Sequence, residues 1–361
     1  MGRDILIYGA YGFSAGLVLE QLRGSGLRLV LGGRDPARLA RLGDRLGLPV
    51  RAFALDSPDE AVRGLEGVGC VLHAAGPYQA TSAAMVGACL AAGADYLDLS
   101  GEWPTFAAAL DRDSAARDAG VMLMPGAAFS IVPSDCLLAH AAQATPYTRR
   151  LRLALSRPHA MSRGSLSSAL GLSNQSGMVR RNGDLVPIPG GSLVRAFDFG
   201  AGASDSVAVA WPDLVTAFVS TGVGDIETYT EAPLVTRVTL RIHDAVAPLL
   251  DASGATLVMQ QLARSWPESP PAEGLARAGY VLVAEAEDRW RRSHFFRMET
   301  GDGYSVTARI AARILERVAE GQRRPGFVTP SSLFGTGFAQ GLGCGMIENW
   351  KPTGGGQCRP T

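Results

Sequence analysis

Two glycines, Gly9 and Gly12, stand between a run of apolar residues and a segment with helical spacing. Neither has a Cβ atom, so the backbone there can turn sharply and approach a ligand closely. The N–H groups that begin a helix, together with the positive end of its dipole, bind phosphate groups. The segment therefore predicts a phosphate cradle, although an ordinary turn between strand and helix uses the same residue types. The residues of the predicted cradle are Gly9, Tyr11, Gly12, Phe13 and Ser14.

Arg34 lies where a dinucleotide-binding fold distinguishes NAD from NADP. It ends the second apolar run, residues 27–33, and Asp35 and Pro36 follow as the cap and the first residue of a helix. An acidic residue at the end of this strand binds the ribose hydroxyl of NAD, whereas an arginine accommodates the 2′-phosphate of NADP. Arg38, one helical turn later, is a second candidate cation. We favour NADP; the alternative is that Asp35 is only a cap and that both arginines are solvated.

Short apolar runs alternate with helical segments as far as residue 124, which is typical of a doubly wound parallel sheet. Ligands of such sheets bind beyond the carboxyl ends of the strands. The loops that follow the strands are therefore predicted to line one crevice. The predicted strands are residues 5–8, 27–33, 50–55, 70–75, 95–99 and 121–124, and one helix is predicted at 105–119. The further residues predicted to bind a cofactor are Asp56, Ala75, Gly76, Pro77, Ser100, Gly101 and Phe129.

Two residues of this crevice have the chemistry of a proton donor or acceptor. Hydride transfer needs a proton source for the second half of a reduction. Tyr78 could donate a proton or a hydrogen bond, or it could only pack as an aromatic side chain. Glu102 is the acidic residue after the fifth strand, yet it could instead cap the helix that begins near Pro104. Ser134 and Asp135 are interpreted as helix caps rather than catalytic groups.

From residue 149 the pattern changes to short alternating runs, typical of an antiparallel sheet with one covered face. The predicted fold class is therefore α/β, with a Rossmann-type parallel sheet followed by an α+β domain. The amphipathic segment 307–320 is predicted to be a helix that returns to the first domain. The predicted strands of the second domain are 151–155, 206–210, 235–242, 278–286 and 293–299, the last two forming a hairpin, and its predicted helices are 165–178 and 245–266.

The segment from Trp211 to Gly222 has polar residues on one face of a predicted helix. Asp213, Thr216 and Ser220 are spaced to share that face. Such a face can bind a substrate or can simply meet solvent. Thr221 is a candidate catalytic residue. The residues predicted to contact substrate are Phe129, Trp211, Asp213, Thr216 and Thr221. Three arginines could hold a carboxylate or phosphate of the substrate, or could simply lie at the surface: Arg163, Arg180 and Arg181.

The composition excludes several classes of partner. The 34 basic and 34 acidic residues give a formal net charge of zero, which argues against nucleic acid or an anionic membrane surface. No apolar run approaches the ~20 residues that span a bilayer, and the first predicted strand leaves no room for a signal peptide. The five cysteines are scattered and odd in number, which favours reduced thiols in a cytoplasmic protein. The five histidines are isolated, so we expect no metal site.

Segments from nearly the whole chain match the pattern of one known family: GAYGFSAG at 9–16, GRDPARL at 33–39, AAGPY at 74–78, YLDLSGE at 96–102, PGAAFSIVPSD at 125–135, SRGS at 162–165, RRNGDLV at 180–186, WPDLVTAFVSTG at 211–222, IETY at 226–229, GYSVTARIA at 303–311 and VTPSSLFG at 328–335. On these segments the chain resembles the saccharopine dehydrogenase-like family of NADP-binding oxidoreductases, and it is most similar to the branch of the trans-acting enoyl reductases. It departs from the family's pattern at Ala15, Tyr11, Pro212 and the pair Ala127-Ala128. Ala15 and Tyr11 concern cofactor packing, and Pro212 and the alanine pair concern substrate identity.

The resemblance implies a dinucleotide domain of residues 1–132, completed by 303–345, a substrate and dimerisation domain of 133–302, and a flexible tail at 353–361. It implies NADPH as cofactor, reduction of an activated C=C bond in a lipid-like, polyketide-like or carrier-bound small molecule, and a homodimer. A C=N reductase or amino-acid dehydrogenase, and a non-catalytic nucleotide-binding protein, remain as alternatives, because fold alone does not separate them. We expect the substrate to meet the loops at Tyr78, Glu102 and Phe129 and the segment 211–222.

Overall fold

The computed structural model describes residues 3–156, 177–232 and 279–352 of the chain. By its contacts the chain divides into two compact units, described separately below. The first unit consists of Met1–Val132 and Tyr304–Leu342, and the second of Pro133–Gly303 and Gly343–Thr361. The expectations that lie outside the described residues are the strand at 235–242, the helix at 245–266, most of the helix at 165–178, the tail at 353–361 and Arg163.

The first unit is an α/β unit in which strands and helices alternate, as the apolar runs predict. Its first part contains β1 (Asp4–Tyr8), α1 (Phe13–Gln21), β2 (Leu29–Gly33), α2 (Pro36–Leu46), β3 (Val50–Ala52), α3 (Pro58–Gly64), β4 (Val68–His73), α4 (Tyr78–Ala92), β5 (Asp95–Asp98), α5 (Trp103–Leu110), α6 (Asp113–Asp118) and β6 (Met122–Met124). In the numbering used here, its later part contains α9 (Gly303–Ala319), β15 (Gly326–Phe327) and α10 (Pro330–Phe334).

The strands of the first unit form a parallel sheet in the order β15-β6-β5-β4-β1-β2-β3. The order reverses at β1, which pairs with β2 on one side and β4 on the other. Ile5, Leu6 and Ile7 are 3%, 0% and 0% exposed, because helices cover both faces of a parallel sheet. This is the Rossmann-type arrangement, and ligands of such sheets bind at the carboxyl ends beside the reversal. The predicted fold class is confirmed.

The predicted helix at 105–119 is wrong in one respect, because the structure has two helices there, α5 and α6. The break places Asp113 in the first turn of α6. Its Oδ1 accepts a hydrogen bond of 2.7 Å from the N–H of Phe327 in β15, and its Oδ2 pairs with Arg117 at 2.8 Å. Asp113 thus joins α6 to a strand that lies more than 200 residues later in the chain.

The strand β15 closes the sheet with residues that follow α9. It pairs in parallel with β6. Arg323, just before it, makes two hydrogen bonds to the Asp95 carboxylate, at 2.5 and 2.7 Å. Asp95 begins β5, is 3% exposed and also accepts from the N–H of Met122. The later part of the chain therefore completes the core of the first unit.

The second unit is built on a mixed sheet. It contains α7 (Val132–Ala144), whose first residue lies in the first unit, β7 (Thr148–Leu155), β8 (Gly177–Arg181), β9 (Asp184–Ile188), β10 (Val194–Asp198), β11 (Ala203–Ala208), α8 (Asp213–Thr221), β12 (Asp225–Glu231), β13 (Tyr280–Asp288), β14 (Ser293–Thr300) and β16 (Glu348–Trp350). The order is β10-β11-β12-β7-β13-β14-β16, with β8 joined to β12 and β9. Only β12 and β7 are parallel among the described pairs of this sheet. The predicted hairpin of residues 278–286 and 293–299 is confirmed as β13 and β14.

The end of the predicted helix at 165–178 is wrong, because Gly177 and Met178 begin β8. β8 and β9 form a hairpin whose two-residue turn is Asn182 and Gly183, with φ of 51° and 92°. Both values lie in the left-handed region that asparagine and glycine tolerate best. The turn fixes this hairpin, and Gly177 and Met178 lie in its first strand rather than in a helix.

Arg152 is the centre of a buried group of charges on one face of the second sheet. Its guanidinium contacts Glu227 at 2.9 Å, Glu285 at 2.9 Å and Glu287 at 3.1 Å. Arg195 also contacts Glu285, at 2.9 Å. Burial disfavours the charged guanidinium, but the carboxylates more than offset this, so the pKa of Arg152 lies above its ordinary value. The pairing across β7, β12 and β13 ties three central strands together.

None of the helices that the structure describes has the length and apolar character needed to cross a membrane. Within the same residues, no three histidine, cysteine, aspartate or glutamate side chains are placed to hold a metal ion. Cys70, Cys89, Cys136 and Cys344 are buried.

Candidate nucleotide-binding and active site

The turn after β1 requires glycine, because its backbone packs closely against the loop that follows β4. Gly9 has a φ of +83°, and a Cβ atom there would lie 2.8 Å from the carbonyl oxygen of Ala74. Gly12 is the N-cap of α1, and no side chain caps this helix. The N–H of Gly12 is taken by the Gly9 carbonyl at 2.9 Å. The N–H groups of the first turn, which have no partner inside a helix, are thus left for an anion, as a diphosphate requires.

The end of β2 carries the residues expected to distinguish the two cofactors. Arg34 is exposed at this point. The carboxylate of Asp35 accepts a hydrogen bond of 3.0 Å from the N–H of Arg38 and so caps α2. The acidic group that would bind the ribose hydroxyl of NAD is therefore engaged, and the residues present fit the 2′-phosphate of NADP.

Tyr11 orients the second candidate cation. Its ring lies against Gly33, where an added Cβ would come within 2.8 Å of a ring carbon. The guanidinium of Arg38 stacks over the same ring, 4.4 Å from its centre. A cation–π contact of this kind holds a flexible side chain in place. Asp56, also predicted to bind the cofactor, is exposed after β3.

The loop from Ala75 to Tyr78 follows β4 and begins α4. Gly76 and Pro77 are exposed and joined by a cis peptide bond, whereas Ala75 and Tyr78 are half-buried. The Glu102 carboxylate accepts hydrogen bonds from the N–H of Tyr78 at 3.3 Å and of Gln79 at 2.9 Å. Glu102 is 1% exposed. Glu102 is the N-cap residue of α5, as predicted, but its side chain makes no capping hydrogen bond there and caps α4 instead.

The phenol of Tyr78 stays protonated. Burial raises its pKa well above the ordinary value, and the charges of Asp98 and Glu102 raise it further. Its ring packs edge-on against His73, with ring centres 5.4 Å apart. Both the packing role and the donor role remain open to it.

Three other predicted cofactor residues lie in loops that hold one another. Ser100 is fully buried, and its hydroxyl accepts from the N–H of Glu102 at 3.1 Å. Gly101 lies close to Ser130, since an added Cβ would meet the Ser130 Cβ at 3.2 Å. The N–H of Phe129 donates to the Thr307 hydroxyl at 3.0 Å. The side chain of Ser100 therefore supports the loop, and direct contact with a ligand remains for Gly101 and Phe129.

In the second unit, α8 carries a buried polar face. Asp213 is 0% and Thr216 1% exposed. In the described part of the chain, neither oxygen of Asp213 nor the Thr216 hydroxyl meets the geometry of a hydrogen bond. Burial raises the pKa of Asp213 to about 7; the Ser134 hydroxyl partly offsets this rise, and the charge of Asp135 adds to it. A carboxyl with this pKa can hold or release a proton near neutral pH.

Asp135 is the residue of this group that sequence reasoning missed. It was interpreted as a cap, but it lies inside the first turn of α7 and is fully buried. Its Oδ1 accepts a hydrogen bond of 2.5 Å from Ser220 of α8. The periodicity of α8 indicated the face that carries Asp213 and Ser220, but nothing in the sequence paired it with a helix so far away in the chain.

The other polar residues of this region are engaged within the second unit. The hydroxyl of Thr221 donates to the Ala217 carbonyl at 2.5 Å and accepts from the N–H of Val223, at the end of α8. Trp211 is half-buried before the helix. Arg180 donates to the carbonyls of Leu214 and Gly183, and Arg181 pairs with Glu227. These contacts favour structural roles for both arginines.

The first unit has the sheet order, the glycine turn and the cation at the end of β2 that define a Rossmann-type dinucleotide-binding domain. Its sequence agrees, since residues 5–124 match the family model of the saccharopine dehydrogenase NADP binding domain. The match covers residues 5–124 of the 361 in the chain, which is the part of the first unit from β1 to β6.

Curated relatives resemble part of the chain. A trans-acting enoyl reductase of Mycobacterium ulcerans is 32% identical over 145 residues, which is 38% of this chain and 35% of that protein. A trans-acting enoyl reductase of Mycobacterium tuberculosis is 35% identical over 142 residues, which is 37% of this chain and 34% of that protein. The matches span about a third of the length of these relatives. The apo structure of saccharopine dehydrogenase (L-Glu forming) from Saccharomyces cerevisiae aligns with a TM-score of 0.61 over 94% of this chain and 96% of that one. At 11% identity, that similarity shows the fold alone.

Proposed function

We propose that the protein is an NADPH-dependent reductase of an activated C=C bond, in a lipid-like or polyketide-like substrate that is free or carried by a partner. The observation that carries the proposal is the uncapped start of α1 beside Gly9 and Gly12, in a segment of the NADP-binding family. The enoyl chemistry rests on the names of the curated relatives. Bound NADPH supplies a hydride, and the residues of this chain bind, orient and supply the proton.

The first unit binds the cofactor at the carboxyl edge of its sheet. The N–H groups of α1 hold the diphosphate, and Arg34 with the stacked Arg38 holds the 2′-phosphate. Glu102 fixes the start of α4, so the loop at Gly76 and Pro77 keeps one conformation beside the nicotinamide. A fixed loop removes alternative positions of the reacting carbon, which is the source of catalysis by orientation.

Asp213 is the proposed proton donor. A general acid works best when its pKa lies near the working pH, and the pKa of Asp213 is about 7. Asp135 and Ser134 lie beside it on α7, where the second carboxylate favours a proton on the first. Thr216, on the same face of α8, is proposed to contact the substrate.

The reaction class is tested by supplying NADPH with an α,β-unsaturated thioester, or with a 2-oxo acid and an amine. We expect NADPH oxidation and a product two mass units heavier only with the thioester. Turnover of the imine mixture alone would favour the amino-acid dehydrogenase alternative, and NADPH binding without turnover of either would favour the non-catalytic one. The engagement of Arg180 and Arg181 weighs against binding of substrate carboxylates.

Arg34→Ala is expected to weaken NADPH binding by ~1.5–3 kcal/mol, the value of a charge-assisted hydrogen bond. NADH, which lacks the 2′-phosphate, should bind within about twofold of its original affinity. Dissociation constants of both cofactors, from titration of protein fluorescence, measure this. Arg41→Ala, which removes an exposed arginine of the following helix α2, is the matched control and should change neither value. Equal losses for the two cofactors would remove Arg34 from the 2′-phosphate site.

Asp213→Asn is expected to lower kcat about a hundredfold, the usual contribution of a general acid. NADPH affinity should stay within about twofold. In the unsubstituted protein, kcat should fall as the pH rises through about 7, because Asp213 then loses its proton. This pH dependence of kcat should vanish in Asp213→Asn. Tyr78→Phe is the comparison, and if it shows the hundredfold loss instead, the phenol is the donor.

The homodimer and the cytoplasmic location stay predictions. Light scattering after size exclusion measures the first, and fractionation of the source cells measures the second.

A further inference from the structure

Three fully buried side chains, His73, Tyr96 and Asp98, form a hydrogen-bonded chain inside the first unit. The ring Nδ1 of His73 lies 3.3 Å from the hydroxyl of Tyr96, and that hydroxyl lies 2.7 Å from Oδ2 of Asp98. At the other end, His73 Nε2 lies 3.2 Å from the carbonyl oxygen of Ala75. The chain thus begins at β5 and ends at the first residue of the loop Ala75–Tyr78.

The two ends of the chain have fixed hydrogen-bonding roles. A carbonyl oxygen can only accept, so Nε2 of His73 carries a hydrogen and donates to Ala75. Oδ1 of Asp98 is already occupied, since it accepts from the N–H of Ser100 at 2.9 Å and of Gly126 at 2.7 Å. Only the donor and acceptor roles in the two contacts of the Tyr96 hydroxyl, to His73 Nδ1 and to Asp98 Oδ2, are not fixed in this way.

That hydroxyl has one hydrogen and two neighbours. If Asp98 is ionised and His73 is neutral, the hydrogen goes to the carboxylate, and Nδ1 is left facing an oxygen lone pair. A buried acceptor without a donor is costly. One additional proton removes this mismatch, because the carboxyl O–H then donates to the Tyr96 oxygen and the tyrosine O–H turns to Nδ1.

We propose that His73, Tyr96 and Asp98 together bind one proton, and that this proton fixes the backbone of the candidate nicotinamide loop. With this proton bound, the three side chains together carry no net charge, which is the favoured state of a fully buried group. When the proton leaves, the tyrosine hydrogen returns to Asp98, and His73 loses the bond that orients its ring toward Ala75. The three residues are positioning residues.

The surroundings favour the proton on Asp98 rather than on His73. Burial lowers the pKa of His73 to about 4 and raises that of Asp98 to about 6. The charge of Glu102 adds to the rise at Asp98. The other titratable groups that face the chain are Tyr8 and Tyr78, whose rings are 5.8 and 5.4 Å from that of His73, and Cys89, near Tyr96. Burial raises the pKa of each of these three groups, so they stay neutral.

The structure also offers a substitution that mimics the proton-bound form. In Asp98→Asn, the amide oxygen can still accept from Ser100 and Gly126, and the amide nitrogen can donate to Tyr96 as the protonated carboxyl does. Tyr96→Phe instead removes the link and leaves the two ends in place. The two variants therefore test opposite states of the same chain.

The test is nitrogen and carbon NMR on the protein without cofactor, with histidine and aspartate labelled. At pH 5 we expect His73 to be protonated at Nε2 and hydrogen-bonded but unprotonated at Nδ1. Its signal should shift when Asp98 titrates, stay constant in Asp98→Asn and become independent of Asp98 in Tyr96→Phe. A hydrogen on Nδ1 alone, or the same response in the original protein and Tyr96→Phe, would overturn the proposal. If Tyr96→Phe does not fold, the comparison with Asp98→Asn decides.

The link to the cofactor rests on the proposed function. NADPH is an anion, so it should bind better when the buried site is neutral. The NADPH affinity of the unsubstituted protein, divided by that of the Asp98→Asn variant, should therefore fall by at least about threefold as the pH rises from 5 to 8. The variant serves as reference because the 2′-phosphate titrates equally in both. A ratio that does not change with pH would overturn the link. A protein that binds no NADPH would contradict the proposed function and leave the NMR result intact.

Discussion

Gly12→Val is expected to lower NADPH affinity at least about a hundredfold. The branched side chain would stand at the start of α1, where the diphosphate needs the backbone N–H groups. An added Cβ already lies 3.1 Å from the Gly9 carbonyl, which is tighter than ordinary contact. Loss of two charge-assisted hydrogen bonds, at ~1.5–3 kcal/mol each, accounts for this magnitude. Titration calorimetry with NADPH and NADH measures the effect, which should be equal for both because both carry a diphosphate.

The matched control is Gly16→Val. Gly16 lies in the same helix, and an added Cβ there meets nothing within 4 Å. The control adds the same side chain to the same element, so it should leave affinity within about threefold. If both variants bind NADPH normally, the diphosphate does not lie at this turn. Circular dichroism of both proteins separates a lost site from a lost fold.

Arg152→Met is expected to lower the free energy of unfolding by ~3–5 kcal/mol. Removing one partner of a buried ionic group costs far more than the pair itself contributes. Here Glu227, Glu285 and Glu287 would lose their shared partner, and their side chains are 6%, 0% and 20% exposed. Methionine keeps most of the volume, so the loss reports charge rather than a cavity. Urea unfolding, followed by circular dichroism, measures it.

Arg150→Met is the control on the same strand. The side chain of Arg150 is 31% exposed and contacts Asp225 at 3.3 Å and Glu287 at 3.9 Å. Partly exposed pairs of this kind contribute about 0–1 kcal/mol. Comparable losses in the two variants would show that burial does not govern the strength of these pairs.

The parallel sheet could be predicted because its signal is local. Each strand is a short apolar run, and Asp35 with Pro36 marks the start of α2 in adjacent residues. The Asn182-Gly183 turn was equally local, since this dipeptide strongly indicates a hairpin. The sequence prediction omits this hairpin because the helix predicted at 165–178 runs into its first strand.

The candidate site was less predictable because its contacts join distant segments. Glu102 precedes α5, and the sequence suggests a cap for that helix, whereas its carboxylate reaches α4 through the fold. Asp135 meets Ser220 only because the fold of the second unit brings the start of α7 to the end of α8. Periodicity identifies the face that a residue occupies but not the element that faces it. The residue types were therefore visible in the sequence, and their partners were not.

The order in which the first unit acquires its strands has a consequence for its synthesis. β6 is made early, but its neighbour β15 follows only after the whole second unit except its last segment. At ~5–20 residues per second, a ribosome needs about 10–40 seconds to cover that distance. During this interval the edge of β6 has no partner strand, and Asp95 has no Arg323. The nascent chain therefore exposes an apolar strand edge that is buried in the folded protein, and exposed edges of this kind aggregate.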